Sequence, residues 1–104
     1  MNARRSALDL VEGAVRLLAT GEHGIKHRLL QAYAQRLKHI RTAEIPAELA
    51  PLLSSIYRRL GHIQQGDAQH AVEVALDRMK VSVAMKLADD IFEFNCALSQ
   101  GLYH

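Results

Sequence analysis

Apolar residues recur at helical spacing along most of the chain, and no segment alternates in the way a β-strand does. Residues 3–19 predict a first helix, with Gly21 as its C-terminal stop. The apolar positions of this helix are Leu8, Val11, Val15 and Leu18. Gly13 falls in the middle of the helix at a cost of about 1 kcal/mol relative to Ala, which indicates close packing of a neighbouring element.

A second helix is predicted over residues 22–41, followed by a connector over residues 42–45. One face of this helix is apolar and carries Ile25, Leu29, Ala32, Tyr33, Leu37 and Ile40. Pro46 suits the first position of a new turn, whereas Pro51 would break a helix that began there. We therefore expect a short turn over residues 46–50 and a third helix over residues 51–63. The core face of this third helix is Leu52, Ile56, Leu60 and Ile63.

The last helical stretch begins after Gly66-Asp67, a glycine stop followed by an N-cap residue. Residues 68–100 contain neither Gly nor Pro. An unbroken helix of that length would extend about 50 Å, against about 20–30 Å for the other helices. Either the helix breaks near Val81-Ser82, where β-branched residues cluster, or its far half projects beyond the bundle. The predicted fold is therefore all-α: one domain over residues 1–104, a small bundle of four or five helices with a long C-terminal helix.

Residues 81–98 are apolar around most of the helix, since 12 of these 18 residues are hydrophobic. Phe92 and Phe94 are about 160° apart at 100° per residue, so one narrow face cannot bury both. The helix is therefore either the central element of its bundle or covered by something else. A second stripe that closes a homodimer would consist of Val81, Met85, Ala88 and Phe92. A groove for the helix of a different protein is a further alternative.

Charge is unevenly distributed although the formal net charge is only +2. Residues 1–62 carry ten Lys or Arg and five Asp or Glu (net +5), whereas residues 63–104 carry three and six (net −3). Such asymmetry can mark an electrostatic partner surface. The simpler interpretation is that the basic half meets the acidic last helix, within one chain or across a dimer.

A basic surface on helix two, extended by helix three, supports an alternative hypothesis of nucleic-acid binding. Its candidate residues are His27, Arg28, Lys38, Arg41, Arg58 and Arg59. A basic helix face provides the electrostatic attraction that nucleic-acid binding requires. Pro46 and Pro51 argue against a helix-turn-helix, because that motif joins its helices through a tight turn.

Arg36 falls near the middle of the apolar face of helix two, one turn from Ala32 and Ile40. It is therefore a candidate buried charge, and a buried charge needs a partner. The candidate partners are Glu44, Asp89, Asp90 and Glu93. Alternatively, the stem of Arg36 packs while its head reaches solvent. A small-ligand binder or an enzyme built around Arg36 is a third functional hypothesis.

Motifs for catalysis or metal binding are not found in the sequence. His23 and His27 are one turn apart, but nothing near them supplies the remaining ligands of a zinc site. Cys96 lies in an apolar segment without a basic neighbour, so we expect a packed thiol rather than a nucleophile. Phosphate-binding loops, dinucleotide glycine patterns and serine-hydrolase motifs are absent from the sequence. We expect no catalytic, cofactor-binding or metal-binding residues, and a non-enzymatic protein is favoured.

Composition indicates the cellular compartment in which we expect the protein. One cysteine in 104 residues indicates a reducing compartment, and no run of 18 apolar residues is available to span a membrane. Arg4-Arg5 lacks the uncharged apolar segment that a twin-arginine signal requires. We therefore expect a cytoplasmic protein without a membrane partner. The leading hypothesis is a helical protein-protein interaction or regulatory module, homodimeric through its C-terminal helix.

Overall fold

Five α-helices make up the computed structural model, which describes residues 3–21, 23–64 and 66–102. They are α1 (Ala3–Thr20), α2 (Ile25–Gln35), α3 (Ala50–Leu60), α4 (Ala68–Arg78) and α5 (Val81–Leu102). Three single-turn 3₁₀ helices connect α2 to α3: Leu37–His39, Thr42–Glu44 and Ala47–Leu49. No β-strand occurs among these residues, and the predicted all-α fold is confirmed.

The second helix is shorter than its apolar pattern predicts. It ends at Gln35 instead of residue 41, because the backbone of Arg36 leaves the helical region (φ −132°, ψ −65°). The hydroxyl of Tyr57 on α3 donates to the carbonyl oxygen of Leu37 and, at 2.7 Å, to that of Ile40. A side chain from another helix therefore satisfies carbonyl groups near the break. The predicted start of this helix, at residue 22, lies outside the described residues.

Proline and glycine mark both ends of α3. Pro46 immediately precedes the Ala47–Leu49 turn and Pro51 lies in the first turn of α3, which confirms the predicted division at this point. The predicted end at residue 63 is wrong, because Gly61 closes the helix in the left-handed conformation (φ +81°). Ile63 consequently lies beyond the helix and is 43% exposed.

The long helical stretch after Gly66 is broken, two residues before the predicted position. Met79 adopts an extended backbone (ψ 142°) that ends α4, and α5 begins at Val81. The alternative of a single projecting helix is wrong. At the start of α4, the carboxylate of Asp67 accepts a hydrogen bond of 3.0 Å from the backbone N–H of His70, which confirms the predicted N-cap.

The longest helix, α5, is also a central one, with contacts to α1, α2 and α3. Its 22 residues extend about 33 Å. One face is buried and carries Ala84, Leu87, Ile91, Phe94 and Leu98. Within the described part of the chain, no helix combines the length and the apolar content needed to cross a bilayer.

Candidate functional site

An apolar stripe on α5 faces away from the core. Val81 and Met85 are each 56% exposed and Phe92 is 54% exposed, while Ala88 between them is half-buried. At 100° per residue these four side chains fall within an arc of about 60° and span about 17 Å along the helix. We call Val81, Met85, Ala88 and Phe92 the α5 stripe. They are the residues that periodicity predicts for a second apolar seam.

The stripe is exposed because the core already occupies another side of the helix. Phe94 is completely buried, and Phe92 projects about 160° away from it and is exposed, as the helical geometry predicts. The large apolar side chain of Val83 is also exposed, but that residue lies on the opposite side of α5 from Phe92. The α5 stripe is therefore a separate surface and not an extension of the core.

Cys96 continues the line of the α5 stripe by one turn. The structure shows its thiol exposed, so the predicted packed thiol is wrong. The reason is geometric: Cys96 lies four residues after Phe92 and hence on the same side of the helix.

Charged residues follow one flank of the α5 stripe. Lys86, Asp89 and Glu93 lie within an arc of about 60°, roughly 100° around the helix from the centre of the stripe. All three are exposed. The positive charge lies at the N-terminal end of this flank, and the two negative charges follow it along the helix.

Asp90 links α5 to α3 through an ion pair. Its carboxylate accepts a hydrogen bond of 2.6 Å from the guanidinium of Arg59 and one of 3.0 Å from the ammonium of Lys86. These hydrogen bonds, that of Arg59 first, hold the pKa of Asp90 below its ordinary value. The hydrogen bond to Asp90 in turn raises the pKa of Lys86. Arg59 and Asp90 are one contact between the basic first half of the chain and its acidic last helix.

The six candidate basic residues do not form one helix face. Lys38 and Arg41 lie beyond the end of α2, so the prediction that places these two residues on the face of helix two is wrong. The guanidinium of Arg28 donates to the carbonyl oxygen of Leu18 at 2.6 Å, near the end of α1, and that of Arg59 is paired with Asp90. His27 is exposed on α2, with its ring 4.4 Å from that of His23.

Arg41 and Arg58 line a cleft of about 490 Å³ between the turns that follow α2 and the helix α3. The other residues of its lining are Ile40, Thr42, Ser54, Tyr57, His62 and Gln64. Among the described residues, neither arginine has a hydrogen-bond or ion-pair partner for its side chain, and both are exposed. The cleft therefore combines two unpaired guanidinium groups with the hydroxyl groups of Thr42, Ser54 and Tyr57.

A network of aromatic residues forms the wall of this cleft. The ring of His62 stacks on that of Tyr57, with centroids 4.6 Å apart, and its Nδ1 is hydrogen-bonded to the hydroxyl of Tyr33. Burial lowers the pKa of His62 and raises the pKa of both tyrosines. The sequence offered no motif for this network, since its three members come from α2, α3 and the loop after α3.

Arg36 is exposed, so the predicted buried charge is wrong. Because α2 ends at Gln35, residue 36 no longer lies on the buried face that continues from Ala32 and Tyr33. Its side chain instead crosses to α1 and lies over Gly13.

Metal-binding clusters are not found within the described ranges: no group of three or more His, Cys, Asp or Glu residues is arranged to hold an ion.

Comparison with known proteins adds no functional information. No protein-family model matches the chain, and neither curated proteins nor solved structures contain a match to it.

Proposed function

We propose that this protein is a non-enzymatic self-association module in which two copies pair through the α5 stripe. The observation that carries the proposal is that three large apolar side chains of this stripe are each more than half exposed. A contiguous exposed apolar patch often marks an interaction site. Covering each of these half-exposed side chains would favour association by on the order of 1 kcal/mol.

Charge complementarity favours a second copy of the chain as the occupant. When two identical helices pair antiparallel about a two-fold axis, the same flank of each helix meets that of the other. With the axis near Ala88, Lys86 of one copy lies between the levels of Asp89 and Glu93 of the other copy, and these attractive contacts occur twice. They outnumber the single repulsive contact in which the two Asp89 side chains approach each other beside the axis. Charged residues beside an apolar seam set partner choice and orientation in this way.

A parallel pair lacks this complementarity. Its charged flank would face the opposite flank of the second helix, where Ala84 is buried and Asn95 is uncharged. The antiparallel arrangement also places the small side chain of Ala88 at the crossing point, and small side chains at a crossing allow two helices to approach closely. The proposed pair is therefore antiparallel and centred near Ala88.

Replacing Phe92 with Glu tests the α5 stripe. We expect Phe92→Glu to weaken self-association at least about tenfold in sedimentation equilibrium, because burying an unpaired carboxylate is costly. Circular dichroism should show unchanged helicity, since Phe92 is exposed in the single chain. Val83→Glu is the matched control, because Val83 is 47% exposed on the opposite side of the same helix. Equal association of Phe92→Glu and the parent would overturn the proposal.

A charge exchange tests the orientation. Lys86→Glu and Glu93→Lys should each weaken self-association, since each places like charges together in the antiparallel pair. Mixing the two variants should restore association, because the carboxylate introduced at position 86 of one variant then meets the ammonium introduced at position 93 of the other. Lys86→Glu also removes the hydrogen bond to Asp90, but that loss is present before and after mixing. Failure of the mixture to associate more tightly than either variant would overturn the antiparallel arrangement.

A further inference from the structure

The cleft beside α3 has the features of an anion site that is independent of the α5 stripe. Arg41 approaches it from the turn after α2 and Arg58 from α3. Thr42 and Ser54 add a hydroxyl group from each side. We propose that this cleft binds a small phosphate-bearing ligand, held by the guanidinium groups of Arg41 and Arg58.

The charge and the donor groups of the two arginines match a phosphate dianion. Two guanidinium groups supply two positive charges, and each presents a planar set of N–H donors that fits phosphate oxygens in pairs. Neither side chain is engaged elsewhere in the described structure, in contrast to Arg28 and Arg59. The hydroxyl groups of Thr42 and Ser54 can donate further hydrogen bonds to the same oxygens.

The wall of the cleft is held in place by the fold. Tyr57 stacks on His62 and donates to the carbonyl oxygen of Ile40, while Tyr33 fixes the other side of the imidazole. A binding site needs such support, because its geometry depends on neighbours that restrict each side chain. The aromatic wall and Ile40 provide apolar surface for the organic part of a phosphate monoester.

The dimensions favour a small molecule over a nucleic acid. A volume of about 490 Å³ lies within the range of roughly 300–1,000 Å³ typical of small-molecule pockets. A nucleic acid requires a series of cationic side chains along its backbone. Two of the candidate basic residues, Arg28 and Arg59, cannot extend the cationic surface of the cleft, because their guanidinium groups are hydrogen-bonded to the Leu18 carbonyl and the Asp90 carboxylate.

His62 provides a reporter inside the cleft. Burial lowers the pKa of its imidazole, and a bound dianion should shift that pKa upward by favouring the charged form. Tyr33 from α2 and Tyr57 from α3 contact the imidazole, and the two arginines are the charged groups that line the same cleft. The ring signals of His62 in NMR spectra therefore follow occupancy of the site directly.

Titration with inorganic phosphate and with glycerol 3-phosphate tests the proposal. At constant ionic strength, both the His62 ring signals and the Nε–H signals of Arg41 and Arg58 should shift saturably. Arg41→Gln and Arg58→Gln should each weaken binding about tenfold, since each removes a charge-assisted hydrogen bond. Arg16→Gln, an exposed arginine on α1, is the matched control and should bind as the parent does. Tighter binding of glycerol 3-phosphate identifies an organic monoester as the ligand, whereas equal affinity identifies phosphate itself.

Three results would overturn the proposal. Chloride at matched ionic strength could reproduce the shifts, which would show general screening. The two glutamine variants could bind phosphate as tightly as Arg16→Gln does. A single-stranded oligonucleotide could bind with a steep dependence on salt while phosphate and its monoester do not, which would assign the basic residues to nucleic acid.

Discussion

Arg36, the first residue beyond the end of α2, lies directly over Gly13 of α1. A Cβ atom built at residue 13 would be 2.6 Å from the Nε of Arg36 and 2.9 Å from its Cδ. The close packing that the mid-helix glycine predicts is therefore confirmed, and the neighbour is an arginine side chain. The contact also shows where the Arg36 side chain goes: because α2 ends at Gln35, this side chain extends across α1.

Gly13→Ala should stabilise the protein by about 0.5–1 kcal/mol, because Ala favours a helix over Gly by about that amount. The atoms that the new Cβ would meet belong to the far end of an exposed, flexible side chain, which can move at little cost. Urea denaturation gives the free energy of unfolding. A loss of about 1 kcal/mol or more, on the order of the helix preference itself, would show that Arg36 is needed in its observed position. In the background of Arg36→Ala, Gly13→Ala should stabilise the protein by the full difference in helix propensity between Ala and Gly.

Substitutions at Gly61 and Gly66 distinguish the cost of backbone strain from the cost of steric contact. Both have left-handed backbones, with φ values of +81° and +84°. A Cβ at Gly61 would lie 2.7 Å from the Cβ of Ala75 on α4, whereas at Gly66 the nearest atom is 3.8 Å away. Gly66→Ala should therefore cost about 1–2 kcal/mol from strain alone, and Gly61→Ala a further 1–3 kcal/mol, roughly, from overpacking. Equal losses in thermal or urea denaturation would contradict the close approach of α3 and α4.

Tyr57→Phe should destabilise the turn that follows α2. The change removes the donor to the carbonyl oxygen of Ile40, and leaving that group unsatisfied costs about 1–3 kcal/mol, whereas the carbonyl of Leu37 keeps its hydrogen bond from the backbone N–H of Ile40. Amide exchange should accelerate most at residues 37–40. Ser54→Ala, on the same helix, is the control, because the Ser54 hydroxyl is exposed and makes no described hydrogen bond. An unchanged exchange rate at residues 37–40 would show that Tyr57 does not hold this turn.

Local sequence signals predicted the helices and most of their boundaries. Pro46, Pro51 and the Gly66-Asp67 pair act through their own backbone and side chains, so their effects can be read without knowledge of the fold. The end of α2 could not be read in this way. Neither Gly nor Pro occurs near Arg36, and the hydroxyl that satisfies the carbonyl groups beyond the break belongs to Tyr57, 20 residues later.

The two candidate sites also differ in whether local sequence signals could predict them. The α5 stripe could be predicted because periodicity alone separates the faces of one helix, and Phe92 and Phe94 fall on the sides that it assigns. The cleft could not be predicted as a unit, because Arg41, Arg58 and His62 meet only after three segments have folded together. Periodicity would also have placed Cys96 on the stripe, but the apolar composition around it favoured a packed thiol.

Stability in acid should depend on Asp90. Hydrogen bonds from Arg59 and Lys86 lower the pKa of this carboxyl, so it stabilises the folded state above its unfolded-state pKa of about 3.9. That contribution is lost as the pH falls through the lower folded-state pKa. Asp90→Asn should therefore reduce the slope of stability against pH below about pH 4, measured by urea denaturation. Asp89→Asn is the control, because Asp89 is exposed and has no ion-pair partner in the described structure. Equal slopes in the two variants would contradict this assignment.

Oxidation of Cys96 distinguishes the two orientations of the proposed pair. In an antiparallel pair centred near Ala88, each Cys96 lies eight residues, or about 12 Å, from the axis, so the two cysteines are about 24 Å apart. A disulfide needs Cα atoms within about 7 Å, and we therefore expect no cross-link within the dimer when dilute protein is treated with diamide.

The matched control carries Ala88→Cys together with Cys96→Ser, which moves the single thiol of the chain to the proposed axis. This variant should form a covalent dimer rapidly at the same protein concentration, as seen by non-reducing electrophoresis. Rapid cross-linking through Cys96 itself would mean that equivalent positions of the two helices lie opposite one another. That result would establish a parallel pair and overturn the antiparallel arrangement, while the α5 stripe would remain the contact surface.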